Sequence, residues 1–156
     1  MANEVLKLAY EAAGDALKQQ DSTLGNLRTR ATGLLAAAAV GTSFVASVGL
    51  YKSQPGSQTL PTWAEWSLLA LTILIGASVM LTLWPTNSWN FGANPPALLA
   101  SRAADIDDVY AHAAQAMATG AEANDAMLRR RFLAYRFGVA ALILQVATLV
   151  LGVLIL

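Results

Sequence analysis

Apolar and polar residues follow two regimes along this chain. Over residues 4–30, Leu6, Tyr10, Ala13, Leu17, Leu24, Leu27 and Ala31 recur four and three positions apart, interrupted only by Gln20. That spacing predicts a helix with one apolar seam. Residues 104–136 repeat the pattern more softly through Ile106, Val109, Ala113, Met117, Gly120, Met127 and Leu128. Asp105, Asp107 and Asp108 fall in the first turn of that second helix, where the helix dipole favours negative charge. The other regime has no charge at all, over residues 31–51, 66–101 and 137–156. A membrane-spanning helix needs about 20 mostly apolar residues. The pattern predicts three of them, at 31–51, at 66–84 closed by Pro85, and at 137–156. Tyr51, Trp63, Trp66, Trp84, Trp89, Phe132 and Tyr135 sit near the predicted edges, where amphipathic rings prefer to lie.

The connections complete the expected architecture. No proline separates helix 1–30 from the first span, or helix 104–136 from the third. Both amphipathic helices therefore run straight into membrane segments. A short loop, 52–65, joins the first two spans. Residues 85–103 contain Pro85, Gly92, Pro95, Pro96 and several asparagines, which resist helix and strand. They are expected to form an extended return strap. The predicted fold is all-α: a helical membrane bundle with three spans and a cytoplasmic stalk of two long parallel amphipathic helices. Orientation follows from where Lys and Arg fall. Lys7, Lys18, Arg28 and Arg30 precede the first span, and Arg102, Arg129, Arg130, Arg131 and Arg136 lie between the second and third. Loop 52–65 holds only Lys52. The N-terminus is thus expected in the cytoplasm and the C-terminus outside.

Composition sharpens this picture. Hydrophobic residues make up 56% of the 156 and charged residues 13%, where soluble domains carry about a quarter charged. Net charge is zero, so no bulk attraction to nucleic acid is implied. Glu4, Glu11, Asp15 and Asp21 precede the first apolar run, which is unlike a secretory signal. With no cysteine, disulfides, thiolate nucleophiles and the usual zinc sites are excluded together.

The catalytic inventory is thin, and no enzyme activity or cofactor is expected. His112, the only histidine, has Asp108 one turn earlier. The pair could relay a proton or hold a metal, but a surface helix pair explains it as well. The aspartates at 105–108 lack the further ligands and glycine turn of a calcium loop. Arg129, Arg130 and Arg131 suit an anionic ligand or lipid headgroups, besides marking the cytoplasmic side. Leu6, Tyr10, Leu17, Leu24 and Leu27 form a seam on which copies of the stalk could pair, which favours a homo-oligomer.

The membrane faces carry more. Gly33, Ala37, Gly41 and Gly49 fall at multiples of four, a spacing that lets helix backbones approach closely. Gly138, Ala141, Gln145, Thr148 and Gly152 share one face of the third span. Gln145 lies near mid-membrane, where a polar amide faces protein or water. The face either forms interhelical contacts or lines a pore. No predicted span contains a charge, which argues against proton-coupled transport.

The stretch Leu24-Gly25-Asn26-Leu27-Arg28-Thr29-Arg30-Ala31-Thr32-Gly33-Leu34-Leu35-Ala36-Ala37 resembles the helix entry into the first span of small bacterial membrane proteins of antiphage defence. These are the SLATT-type and Pycsar-type transmembrane effectors. Leu-Trp-Pro at 83–85 and Leu-Arg-Arg-Arg-Phe at 128–132 look like actinobacterial proteins of the same design. The resemblance implies an effector in the bacterial inner membrane. It would oligomerise or open when its cytoplasmic helices receive a signal from a cytosolic protein or nucleotide, and would then permeabilise or depolarise the membrane. The competing expectation is a structural or adaptor protein that anchors a soluble partner to the bilayer.

Overall fold

A computed structural model of the protein describes residues 2–51, 60–86, 88–100 and 105–155. All regular structure among them is helical: α1 (Ala2–Tyr51), α2 (Thr62–Leu83), α3 (Pro95–Ala100) and α4 (Ile106–Leu154). The 52–59 part of the loop after the first predicted span, residues 101–104 with Arg102, and the surroundings of Gly49 lie outside the described residues.

The ends of each helix follow from local chemistry. Pro61 carries the first acceptor of α2, its carbonyl receiving the Ala64 amide at 2.8 Å and the Glu65 amide at 3.2 Å. Pro85 ends α2 by driving Trp84 to extended angles, φ −50° and ψ 127°. The predicted second span thus begins four residues earlier, at Thr62. Asp105 caps α4: its carboxylate accepts the Asp107 amide at 3.2 Å, and its carbonyl accepts the Val109 amide at 3.1 Å.

Residues 95–100 differ from the extended strap that the prolines suggest. Pro95 and Pro96 occupy the first two positions of α3, where their missing N–H groups would have no intrahelical partner in any case. The first amide that can close the turn, Leu98, donates to the Asn94 carbonyl at 3.1 Å. A proline pair breaks a helix interior but is compatible with a helix start.

The chain divides into two compact units. The first comprises Met1–Asn26 and Pro85–Arg130. Within it Tyr10 meets the Tyr110 ring edge-on at 5.5 Å, and the Gln20 side-chain amide donates to the Ala121 carbonyl at 2.9 Å. Ten residues along α1 thus match eleven along α4, so these two segments run in the same direction. Leu17 and Leu24 of α1 and Ala113, Met117 and Leu128 of α4 are buried here. The seam assigned to stalk pairing is therefore already used within one chain at these positions. A tethered apolar stripe on α4 reaches it without association between copies.

The second unit comprises Leu27–Trp84 and Arg131–Leu156. Its core holds Leu34 and Ala38 of α1, Ile75 and Val79 of α2, and Ala141 of α4. Leu27 is buried in this unit. Among the described residues, α2 and α4 are long and apolar enough to cross a membrane. Only 28% of the apolar window of α2 and 22% of that of α4 is buried within the chain, so most of each apolar surface faces outward.

Candidate functional site

In the second unit α4 turns its small and polar residues inward. Gly138, Ala141, Gln145 and Gly152 of α4 are buried, as are Ala64, Ser78 and Thr82 of α2, while Thr148 is half-buried. Phe137, Ile143, Leu144, Val150, Leu151 and Leu154 of α4 face outward, with Trp63, Trp66, Leu69, Ile73, Met80 and Leu81 of α2. Two glycines of α4 lie close to neighbouring side chains. A Cβ at Gly138 would lie 2.8 Å from a Leu34 methyl and 3.1 Å from the Ser78 Cβ. One at Gly152 would lie 2.9 Å from a Leu60 methyl. Increasing α4 numbers meet decreasing α2 numbers, Gly138 with Ser78 and Gly152 with Ala64, so α2 is antiparallel to this part of α4.

Gln145 is the polar centre of this unit. It is 1% exposed, and its Nε2 donates to the Thr72 hydroxyl oxygen at 3.2 Å. A Cβ at Gly41 would lie 3.5 Å from that same nitrogen, an ordinary contact distance, so Gly41 of α1 faces the amide. The Thr72 hydroxyl itself donates to the Leu68 carbonyl at 2.8 Å. Gln145 Oε1 is buried with no hydrogen-bond partner among the described residues. Of the small residues expected to pack on the first span, Gly41 thus takes part in the core. Gly33 and Ala37 face outward, and nothing lies within 4 Å of a Cβ built at Gly33. The inward face of α1 is the neighbouring one, carried by Leu27, Ala31, Leu34 and Ala38. Larger apolar residues on that face make more van der Waals contacts than the Gly33 face would.

The three arginines separate by role. Arg131 is buried at 6% exposure, and its guanidinium donates to the carbonyls of Thr82 at 3.3 Å and Trp84 at 2.6 Å. It therefore supplies the C-terminal end of α2 with donors that the ended helix lacks. Burial lowers its pKa from the ordinary arginine value, and the nearby Arg28 charge lowers it further. Its place at a helix end removes Arg131 from the expected anion-binding cluster. In the first unit, Arg129 pairs with Asp125 at 3.2 Å and Arg130 is exposed.

The first unit has its own polar clasp. The Asn90 amide donates to Asn124 Oδ1 at 3.1 Å, and Asn124 Nδ2 donates to the Asn90 carbonyl at 2.8 Å. One side chain thereby satisfies both backbone groups of a residue in the segment before α3. Gly120, one turn before Asn124, admits the Asn90 side chain, whose Cβ would be 3.0 Å from an added one. Trp89, grouped by sequence with the interfacial aromatics, is buried beside this clasp in the chain, and its indole N–H has no partner among the described residues. Neither asparagine stood out in the sequence. The available signal was the gap at Asn124 in the apolar stripe between Gly120 and Leu128.

Next to the clasp lies a cavity of about 750 Å³, bounded by Leu17, the segment 90–98 and one face of α4 from Asp108 to Met117. It brings His112 and Asp108 together at its wall. His112 Nδ1 lies 2.8 Å from the Asp108 carbonyl oxygen. Among the described residues no group of three or more His, Cys, Asp or Glu side chains is placed to hold a metal ion. No family model, no curated protein and no solved structure matches this chain.

Proposed function

We propose that the chain is a three-span protein of the bacterial inner membrane that anchors a soluble partner through its cytoplasmic helices. Residues 31–51 supply the first span, α2 the second and the end of α4 the third. The N-terminus and residues 85–136 face the cytoplasm, and loop 52–65 and the C-terminus lie outside. The observation that carries the anchor reading is the closure around Gln145. The most polar residue of the third span lies against Gly41 and Thr72 of the same chain, not toward a lumen. The large apolar residues that α2 and α4 turn outward and the small ones that α4 turns inward support a lipid setting, where packing of small residues and not exclusion of water joins helices.

A second reading has an observation of its own. Gly33 and Ala37 form an exposed surface of small side chains on α1. Such a surface lets a second copy approach closely. On this reading the protein oligomerises and depolarises the membrane when a cytosolic protein or nucleotide signal arrives, as in antiphage effectors. Its pore would be bounded by the Gly33 face, since the Gln145 face is occupied.

Two experiments test these readings. The chain has no cysteine, so Ser22→Cys and Ser57→Cys can be labelled one at a time in intact cells with a membrane-impermeant maleimide. Labelling only at position 57 is expected, and labelling at 22 would overturn the orientation. Membrane potential is then followed during expression of the native chain and of Gly33→Leu with Ala37→Leu. Unchanged potential at all expression levels is expected of an anchor. Depolarisation that the double variant abolishes would replace the anchor with the effector.

A further inference from the structure

The cavity in the first unit has a chemical polarity of its own. Its floor is apolar, made by Leu17, Leu98 and Met117. Its wall carries Asp108, His112 and Asn94, and among the described residues no Lys or Arg lines it. The His112 tautomer follows from its neighbour. A backbone carbonyl can only accept, so the Nδ1 that contacts the Asp108 oxygen carries the hydrogen. In the neutral ring Nε2 is then an acceptor, and no described group donates to it. The Asp108 carboxylate is exposed and forms no ion pair among the described residues. The cavity therefore offers a carboxylate and an imidazole lone pair above an apolar floor.

The field around it has the same sign. Nine of the ten carboxylates of the chain lie in the first unit, with only five of its ten cationic side chains. The N-terminus of α4 opposes this, since its free amides favour anions. Asp105 already caps that end, however, and Asp107 and Asp108 add two more carboxylates to the same turn. An anionic ligand would meet those carboxylates with no cation of the described wall to offset them.

We propose that this cavity binds an organic ammonium cation with an apolar body. The ammonium group donates to the Asp108 carboxylate and to His112 Nε2, and the apolar body covers Leu17, Leu98 and Met117. A volume of about 750 Å³ falls within the range of small-molecule sites, roughly 300–1,000 Å³. This site is independent of the topology proposed above and weighs against an anionic nucleotide as the ligand of this cavity.

The test uses the full chain in a neutral detergent and three dansyl probes. Monodansylcadaverine carries an ammonium group, dansylamide is neutral and dansylglycine is anionic. Saturable fluorescence enhancement is expected with the cation alone. Asp108→Asn should weaken it about tenfold, the loss of one charge-assisted hydrogen bond. Ala116→Trp, at an exposed position of the cavity wall, should remove it. Glu122→Gln, outside the cavity, should leave it unchanged. Equal binding of dansylglycine or dansylamide, absence of saturable cation binding, or cation binding indifferent to both cavity variants would each overturn the proposal.

Discussion

Replacing Gln145 by leucine should stabilise the second unit or leave it unchanged, although it deletes a buried hydrogen bond. Three effects set the sign. The bond from Nε2 to the Thr72 hydroxyl is lost, and interhelical bonds of this kind contribute about 0.6 kcal/mol in a bilayer and at most about 1.7. Thr72 is not orphaned by the change, because its own hydrogen already goes to the Leu68 carbonyl. Against this, Oε1 is removed, a buried acceptor with no partner, whose desolvation costs about 1–3 kcal/mol. The branched methyls of leucine must also fit over Gly41, and a volume-conserving swap of this type costs less than about 1.5 kcal/mol. The central expectation is a gain of roughly 1 kcal/mol. Equilibrium unfolding of the full chain in mixed micelles, followed by helical circular dichroism, measures it directly. A loss greater than about 2 kcal/mol would refute the reasoning, because it would require Oε1 to have a strong partner such as water or a second chain. The face would then be wet or shared, and the closure on which the anchor proposal stands would fail.

Other positions probe the remaining contacts. Gly138→Val pushes a side chain against Leu34 and Ser78 and should cost about 1–3 kcal/mol in the same unfolding assay, with Gly33→Val near neutral as its exposed counterpart. Arg131→Met should cost about 1–3 kcal/mol by leaving the Thr82 and Trp84 carbonyls without their donor, and Arg131→Lys should recover part of that; equal stability of all three chains would refute the capping role. Asn124→Leu should release the Asn90 segment, read as at least about a tenfold loss of hydrogen-exchange protection at the Asn90 amide, with protection at the Gln145 amide unchanged.

What was legible in the chain was periodic. Helical spacing placed Leu17, Leu24 and Leu27 on one seam and Gly138, Ala141, Gln145 and Gly152 on one face, because burial repeats with the helix turn. The same spacing is silent about what covers a face. The Leu17 seam could have met a second copy, and in the structure it is buried within its own chain. Small residues misled for a related reason. Gly33, Ala37 and Gly41 share a spacing, but Gly41 faces the Gln145 side chain while Gly33 and Ala37 face outward. The single-residue contacts were the least legible. Asn124 and Arg131 each satisfy backbone groups more than thirty positions away in sequence, and no local pattern records such a partner.

These contacts share one physical cause. Both bring a polar side chain to backbone groups that a helix pattern leaves unsatisfied: the end of α2 for Arg131 and the segment before α3 for Asn124. Buried polar groups in a chain this apolar are expensive, so these persist where the backbone needs them. His112 and Asp108 stand apart by that criterion. They lie at a cavity wall, and the His112 contact is to the carbonyl one turn back in its own helix. Neither side chain is required to close the fold among the described residues. Both side chains are exposed, so their placement carries no burial cost, and what sets them apart is the cavity wall they share.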